Sequence, residues 1–351
     1  MIRVLIAEGN KEFAFSISEL INKESDLTVC GIVTEGKEIE KRVKNLKPDV
    51  LLLDIEMPKG NSIEVIRILM HSLPLPIVVM SAMDVGYLKE LTFKALEEGA
   101  VALVSRPSPN SEEKKREEKK LTDTLRLMSE VKVITRRKKI TRNRDMRPVT
   151  INYCEPVVVI GASTGGPPVL QTILRNLPSN FNASILIVQH ITEGFVQGLQ
   201  EWLNRTTGIE VSIAVNREQI KKGHAYLAPD NYQMGIDKLG RIVLVDEPPE
   251  NNLKPSVSYL FRSARKIYGK SLIAILLTGM GKDGAEEMLK IREIGGITIV
   301  QDKDTSVVYG MPGAAAKLNA ALYYYDPLQI ALKLPELVSF CKKDNKWPGI
   351  K

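Results

Sequence analysis

Short apolar runs recur along this chain with amphipathic stretches between them, and that alternation limits the possible folds more than any single residue does. In the first hundred residues the runs are RVLIA (3–7), TVCGIV (28–33), DVLLLD (49–54), PIVVM (76–80) and AVALV (100–104). Each has the length and continuity of a buried strand. Between them, Ile17, Leu20 and Ile21, and later Ile63, Ile66, Ile68 and Leu69, form helical apolar faces. Strands alternating with helices of this length predict parallel βαβ units in a doubly wound α/β sheet.

The rhythm breaks after residue 108 and resumes near residue 155. PVVVIGAS (156–163), SILIVQH (184–190), SLIAILLTG (271–279) and ITIVQD (297–302) continue the β–α style. Between 211 and 246 the runs are shorter and separated by Gly, Pro and Asn, which predicts a small antiparallel insertion beside the parallel sheet. Three divisions follow: 1–108, a charged helical linker at 109–149, and a second α/β domain at 150–351.

The formal charge of +7 raises the question of a nucleic-acid partner, and its location answers it. From Ser111 to Pro148 there are 14 Lys or Arg against 7 Asp or Glu, so this one segment carries the whole excess. A basic connector explains it, and no folded part shows basic residues interleaved with aromatics, so no nucleic-acid partner is expected. No apolar run is long enough to span a bilayer, so no membrane insertion is expected either. The N-terminus lacks the apolar stretch and cleavage site of a secretory signal. Cys30, Cys154 and Cys341 have neither metal nor disulfide spacing. Together these features predict a cytoplasmic protein with free thiols.

Three chemically capable residues follow apolar runs in the second domain. Ser163 follows PVVVI, His190 follows SILIV, and Asp283 follows SLIAILL through the turn TGMGK. Sites in open α/β sheets form at the carboxyl ends of strands, so all three can share one rim. A Ser hydroxyl needs a base, His is suited to that role, and a carboxylate on the far ring nitrogen fixes the tautomer. Gly161-Ala162-Ser163-Thr164-Gly165 fits the G-x-S-x-G turn, with Pro167 and Pro168 placed for a first helical turn and Thr164 onward as oxyanion donors. A phosphate-cradling loop is the competing reading, although GASTGG lacks the first G-x-G and the next run ends in Gln189-His190 rather than an acid. Pattern alone favours the hydrolase and leaves a nucleotide-binding regulator open. A non-catalytic adaptor is a third reading. Of the other histidines, His71 is expected to face solvent at a helix end and His224 to lie in a surface turn.

Further motifs add a resemblance. GASTGG (161–166), VQH (188–190), YLAP (226–229), PSV…LFRSA (255–264), LTGMGKDG (277–284) and QD…SVVYGMPGAA (301–315) resemble the catalytic domain of the chemotaxis protein-glutamate methylesterases. The resemblance implies a Ser163, His190, Asp283 triad, with Met280 matching the family's active-site Met and no cofactor for catalysis. It implies hydrolysis of glutamyl methyl esters on chemoreceptors to glutamate and methanol, and deamidation of receptor glutamines. The family often has His where Gln233 stands.

Residues 1–108 resemble the response-regulator receiver that these enzymes carry, which implies a flavodoxin-like fold and a chemotaxis histidine kinase as phosphodonor. Asp54 matches the phospho-acceptor, Ser81 the hydroxyl that reads the phosphoryl group, and Arg106 the usual Lys. Receivers hold Mg²⁺ with two acids after the first strand; here Glu8 is followed by Gly9, so Glu8 and Asp54 are the only carboxylates this pattern supplies. The usual Asp-Gly after the third strand is Asn61-Ser62. The resemblance further implies that the receiver covers the catalytic rim and moves when phosphorylated; the three departures leave open a second reading, a degenerate receiver that docks and inhibits without being phosphorylated.

Overall fold

The computed structural model describes residues 1–81, 86–107, 113–131, 133 and 155–341. The basic stretch ending in RNRDMRP and Cys154 lie outside them. Two separate units result, 1–140 and 141–351.

The first unit has β1 (Ile2–Ala7), β2 (Leu27–Val33), β3 (Val50–Asp54), β4 (Ile77–Ser81) and β5 (Ala102–Ser105) in the order β2-β1-β3-β4-β5, all parallel. Every residue of β3 and β4 is buried, as expected for strands covered on both faces. The helices are α1 (Lys11–Asn22), α2 (Ile39–Leu46), α3 (Ser62–Ser72), α4 (Gly86–Glu98) and α5 (Glu113–Ser129). Asn10 and Asn61 cap α1 and α3, each accepting two backbone N–H groups of the first turn. Asn61 thus gains a local role where Asp-Gly was the usual pair. On α3 the apolar face holds at Ile63, Ile66 and Leu69, but Ile68 points outward and is exposed. His71 is exposed at the end of α3.

One boundary differs from expectation. Helix α5, assigned by its charge to the linker, packs on the sheet of the first unit. Leu121, Leu125 and Met128 are essentially inaccessible, and Arg126 pairs with Asp26 (2.7 Å) and Asp123 (2.9 Å) and also with Glu24. The narrow apolar stripe decides the placement, because the charges need only the opposite face.

The second unit opens with β6 (Val157–Ala162), α6 (Gly166–Asn176), β7 (Ser184–Gln189) and α7 (Val196–Thr206), followed by β8 (Glu210–Ile213) and β9 (His224–Leu227). Next come β10 (Gln233–Ile236), β11 (Ile242–Val245), α8 (Val257–Tyr268), β12 (Leu272–Leu276) and α9 (Ala285–Glu293). The chain ends with β13 (Ile297–Gln301), α10 (Met311–Lys317), β14 (Tyr323–Tyr325) and α11 (Pro327–Cys341). Seven strands form a parallel sheet in the order β14-β13-β12-β6-β7-β9-β8. Only β10 and β11 make the antiparallel insertion; β8 and β9, expected within it, extend the parallel sheet. For that reason His224 is buried in β9, where its Nε2 lies 2.8 Å from Ser212 Oγ, and is not a surface turn residue.

The strand order fixes where chemistry can occur. From β6 the chain steps to β7 on one side and later returns to β12 on the other. At such a reversal the loops leaving the two central strands diverge and open a crevice at their carboxyl ends.

Candidate active site

Ser163 stands at that reversal. Its N–H donates to Thr278 O just beyond β12 (3.0 Å), and its carbonyl accepts Gly166 N–H (2.8 Å). Gly165, at φ 78°, caps α6, and Pro167 and Pro168 lie in the first helical turn, as the sequence pattern requires. Gly166 N–H is thus consumed inside the turn. Among the described residues, neither Thr164 N–H nor Gly165 N–H donates to a protein acceptor. Thr278 Oγ1 donates to Thr164 O (2.9 Å), which ties the turn to β12. Gly279 has no room for a side chain, since a Cβ there would come 2.6 Å from Ser163 Cβ.

His190 leaves β7, whose pairing with β6 ends at Ala162↔Gln189, so Ser163 and His190 are the next residues on adjacent strands. The His190 N–H donates to Ala162 O (2.8 Å). Gln189 locks the two loops together: its Nε2 donates both to Ser163 O (2.8 Å) and to His190 O (2.9 Å). A Cβ at residue 166 would overlap Gln189 Oε1 and sit 2.9 Å from Ala162 Cβ. Gly166→Ala is therefore expected to expel the Gln189 amide, with a loss of about 1–3 kcal/mol of stability. An accompanying fall of at least tenfold in ester turnover, measured on the purified variant, is expected because both loops lose their common donor.

Asp283 approaches from the other side. Its Oδ2 is 3.2 Å from His190 Nε2, an ion-pair distance at which the N–H is not aligned as a hydrogen bond. Facing Nε2 to Asp283 leaves Nδ1 as the ring nitrogen available to a serine. The carboxylate is buried and rests on the N-terminal turn of α8. It accepts Val257 N–H (2.6 Å), Ser258 N–H (3.0 Å), Ser256 Oγ–H (3.0 Å) and Ser258 Oγ–H (2.5 Å). A helix N-terminus favours an anion through these free N–H groups and the helix dipole. Burial alone would raise the pKa of Asp283, but the adjoining His190 and the Ser258 donors outweigh it and hold the group at about 2. Met280, three residues before Asp283, is 56% exposed.

Residues 158–334 match the model of the CheB methylesterase family, and residues 4–116 match the response regulator receiver domain. A protein-glutamate methylesterase/protein-glutamine glutaminase of Syntrophus aciditrophicus is 44% identical over 344 residues, spanning 96% of this chain and 98% of its own. A relative with the same activity name from Pyrococcus abyssi is 33% identical over 348 residues, spanning 96% and 92%. The chain belongs to the CheB methylesterase family. The crystal structure of the Thermotoga maritima CheB methylesterase catalytic domain is 39% identical, with a TM-score of 0.51, and covers 53% of this chain and all of that one.

Within the CheB fold, two buried glutamines support the site in ways that the sequence reading did not assign. Gln233, fully buried on β10, accepts Ser256 N–H (2.8 Å) and donates to Leu253 O (3.1 Å). Ser256 in turn donates to Asp283, so Gln233 reaches the carboxylate through one residue. Gln301, at the end of β13, accepts Thr278 N–H (2.8 Å) and is also fully buried. For Gln301 the available signal was a lone polar residue ending an apolar run. Gln233→Leu should leave the Ser256 N–H without its acceptor and loosen the Asp283 cradle. The expected result is a tenfold to hundredfold fall in kcat, since an orphaned buried donor costs about 1–3 kcal/mol; an unchanged kcat would show that the cradle holds without it.

The receiver of this CheB chain gathers its own candidates at the carboxyl ends of β1, β3, β4 and β5. Glu8 and Asp54 are buried, and Arg106 Nη2 bridges them, 2.5 Å from Glu8 Oε2 and 3.0 Å from Asp54 Oδ2. Arg106 N–H donates to Ser81 O (3.0 Å), which places the fourth candidate at the same rim. Burial and the neighbouring Glu8 charge push Asp54 up to about 6, against the opposing pull of the Glu56 N–H and Arg106. Among the described residues, no helix is long and apolar enough to cross a membrane.

Proposed function

We propose that the second unit is a serine hydrolase that removes methyl groups from glutamyl esters on chemoreceptors, with Ser163 as nucleophile, His190 as base and then acid, and Asp283 as the anion that holds His190. The observation that carries this reading is the Asp283 carboxylate, fixed by four donors of the 256–258 turn with Oδ2 3.2 Å from His190 Nε2. His190 takes the Ser163 proton, Ser163 Oγ attacks the ester carbonyl, and the Thr164 N–H helps to hold the oxyanion. Collapse expels methanol with a proton from His190; water then releases glutamate by the same steps in reverse. A glutamine amide passes through the same kind of tetrahedral intermediate, so ammonia release from receptor glutamines belongs to this site as well. Met280, exposed next to Asp283, is a contact for the receptor helix.

In the first unit Asp54 is the phospho-acceptor, Ser81 and Arg106 read the phosphoryl group, and a chemotaxis histidine kinase is the donor. The assignments 1–108 for the receiver and 150–351 for the esterase suit this division of labour, with α5 added to the receiver. A cytoplasmic location suits both this substrate and this donor. The decisive test is methanol release from methylated chemoreceptor membranes. Release at a rate proportional to protein supports the esterase, and none from either the full chain or residues 149–351 would sink it. Removing residues 1–148 is expected to raise turnover; an unchanged rate would show that the receiver does not restrain the esterase.

A further inference from the structure

The receiver pocket of this chain has the position of a divalent-cation site but not its donor set. Among the described residues Glu8 and Asp54 are its buried carboxylates, and all four of their oxygens are already engaged by the protein. Glu8 Oε1 accepts Asn10 N–H (2.8 Å) and Asp54 Oδ1 accepts Glu56 N–H (3.2 Å). The two remaining oxygens both face Arg106 Nη2. The guanidinium is held from behind as well, with its Cζ 4.3 Å above the Phe13 ring centre. Position 9, where an acid would complete a metal site, cannot take a side chain in this backbone. A Cβ there would overlap Pro58 Cδ and lie 2.7 Å from Pro58 Cγ. Among the described residues, no three His, Cys, Asp or Glu side chains gather in a way that could hold a metal.

A hard divalent cation such as Mg²⁺ demands near-octahedral oxygen ligands. To bind here it would have to displace Arg106 from both carboxylates and still lack one carboxylate. We infer that Arg106 is the resident cation of this pocket: it takes the place of the divalent metal and, among the described residues, is the one that neutralises an anionic phosphoryl group carried by Asp54. Arginine suits the role because its charge is permanent and its fork of donors can contact carboxylate and phosphoryl oxygens at once. The second half of this inference rests on the reading of Asp54 as phospho-acceptor; the first half does not.

The transfer needs no metal as a reactant. An Asp54 oxygen bonds to the phosphorus of acetyl phosphate, the bond from phosphorus to the acetyl oxygen breaks, and acetate leaves with the electron pair. Arg106 offsets the charge that builds on the phosphoryl oxygens.

Thermal melting of the full chain with and without millimolar Mg²⁺ is the first test. The wild type is expected to melt at the same temperature in both. Arg106→Ala leaves two buried carboxylates facing each other without a cation, so it should melt lower in chelator and regain several degrees with Mg²⁺. Addition of Asp54→Asn should abolish that rescue. Mg²⁺ stabilisation of the wild type that is lost in Asp54→Asn would overturn the inference, and so would failure of Mg²⁺ to rescue Arg106→Ala. Intact mass after acetyl phosphate treatment gives the second test. Equal phosphoryl gain with Mg²⁺ and with EDTA is expected, and gain in Mg²⁺ alone would overturn the inference. No gain in either buffer would count against Asp54 as acceptor, and the melting series would still decide the role of Arg106.

Discussion

Ser163→Ala is expected to lower methanol release from methylated receptor membranes by about six orders of magnitude. Losses of about 10⁶ in kcat follow removal of the nucleophile from a triad that acts as a unit. The substitution deletes one oxygen from a half-buried residue whose structural ties are all backbone: its N–H to Thr278 O and its carbonyl to Gly166 and Gln189. The fold should therefore stay intact, and the circular dichroism and melting temperature of the variant should match those of the wild type. A variant that retained even a hundredth of the activity would remove Ser163 from the chemistry and return the GASTGG turn to a binding role. Binding of the methylated receptor should survive, because the lost oxygen acts on the reacting carbonyl.

Asp283→Asn should harm both turnover and stability, and the two losses should respond differently to pH. Without the anion, His190 loses its partner for the imidazolium that forms during attack, a change that costs about 10⁴ in the best-studied triad. The stability loss has a separate origin. Two N–H and two hydroxyl donors point at this carboxylate, and the Asn amide would turn a fifth donor toward them. The native pKa of about 2 lies below the ordinary 3.8, so the ionised group contributes about 2 kcal/mol of stability at neutral pH. Because the folded value is the lower one, that contribution is fully present above pH about 4 and is lost as pH falls through about 2. Urea melts of wild type and variant should therefore differ by about 2–3 kcal/mol at pH 7 and converge toward pH 2. A difference that stayed constant over that range would mean that the ionised carboxylate contributes nothing of its own to the fold.

Both sheets were legible because their central strands are uninterrupted apolar runs, and the candidate site was proposed because Ser163, His190 and Asp283 each follow such a run. The misreadings share a cause. Helix α5 has mostly charged residues, and only the stripe of Leu121, Leu125 and Met128 revealed that it packs on a sheet. Strands β8 and β9 are four residues long and separated by turns, so nothing local told a parallel pair from a hairpin. Strand β14 is three tyrosines and passed unnoticed. Gln189, Gln233 and Gln301 act on backbone groups brought close only by the sheet or by α8, and no spacing rule in the sequence marks such partners.

The β10–β11 hairpin lies outside the seven-stranded sheet, and an engineer paring this enzyme to its smallest working form would be tempted to cut it first. That cut would remove Gln233, and with it the acceptor that seats Ser256 under Asp283. The cut would also strip Met234, Ile236 and Ile242 from the core, and the acid would lose its seat. A minimal esterase built on this scaffold must keep this two-stranded appendage as part of the machine.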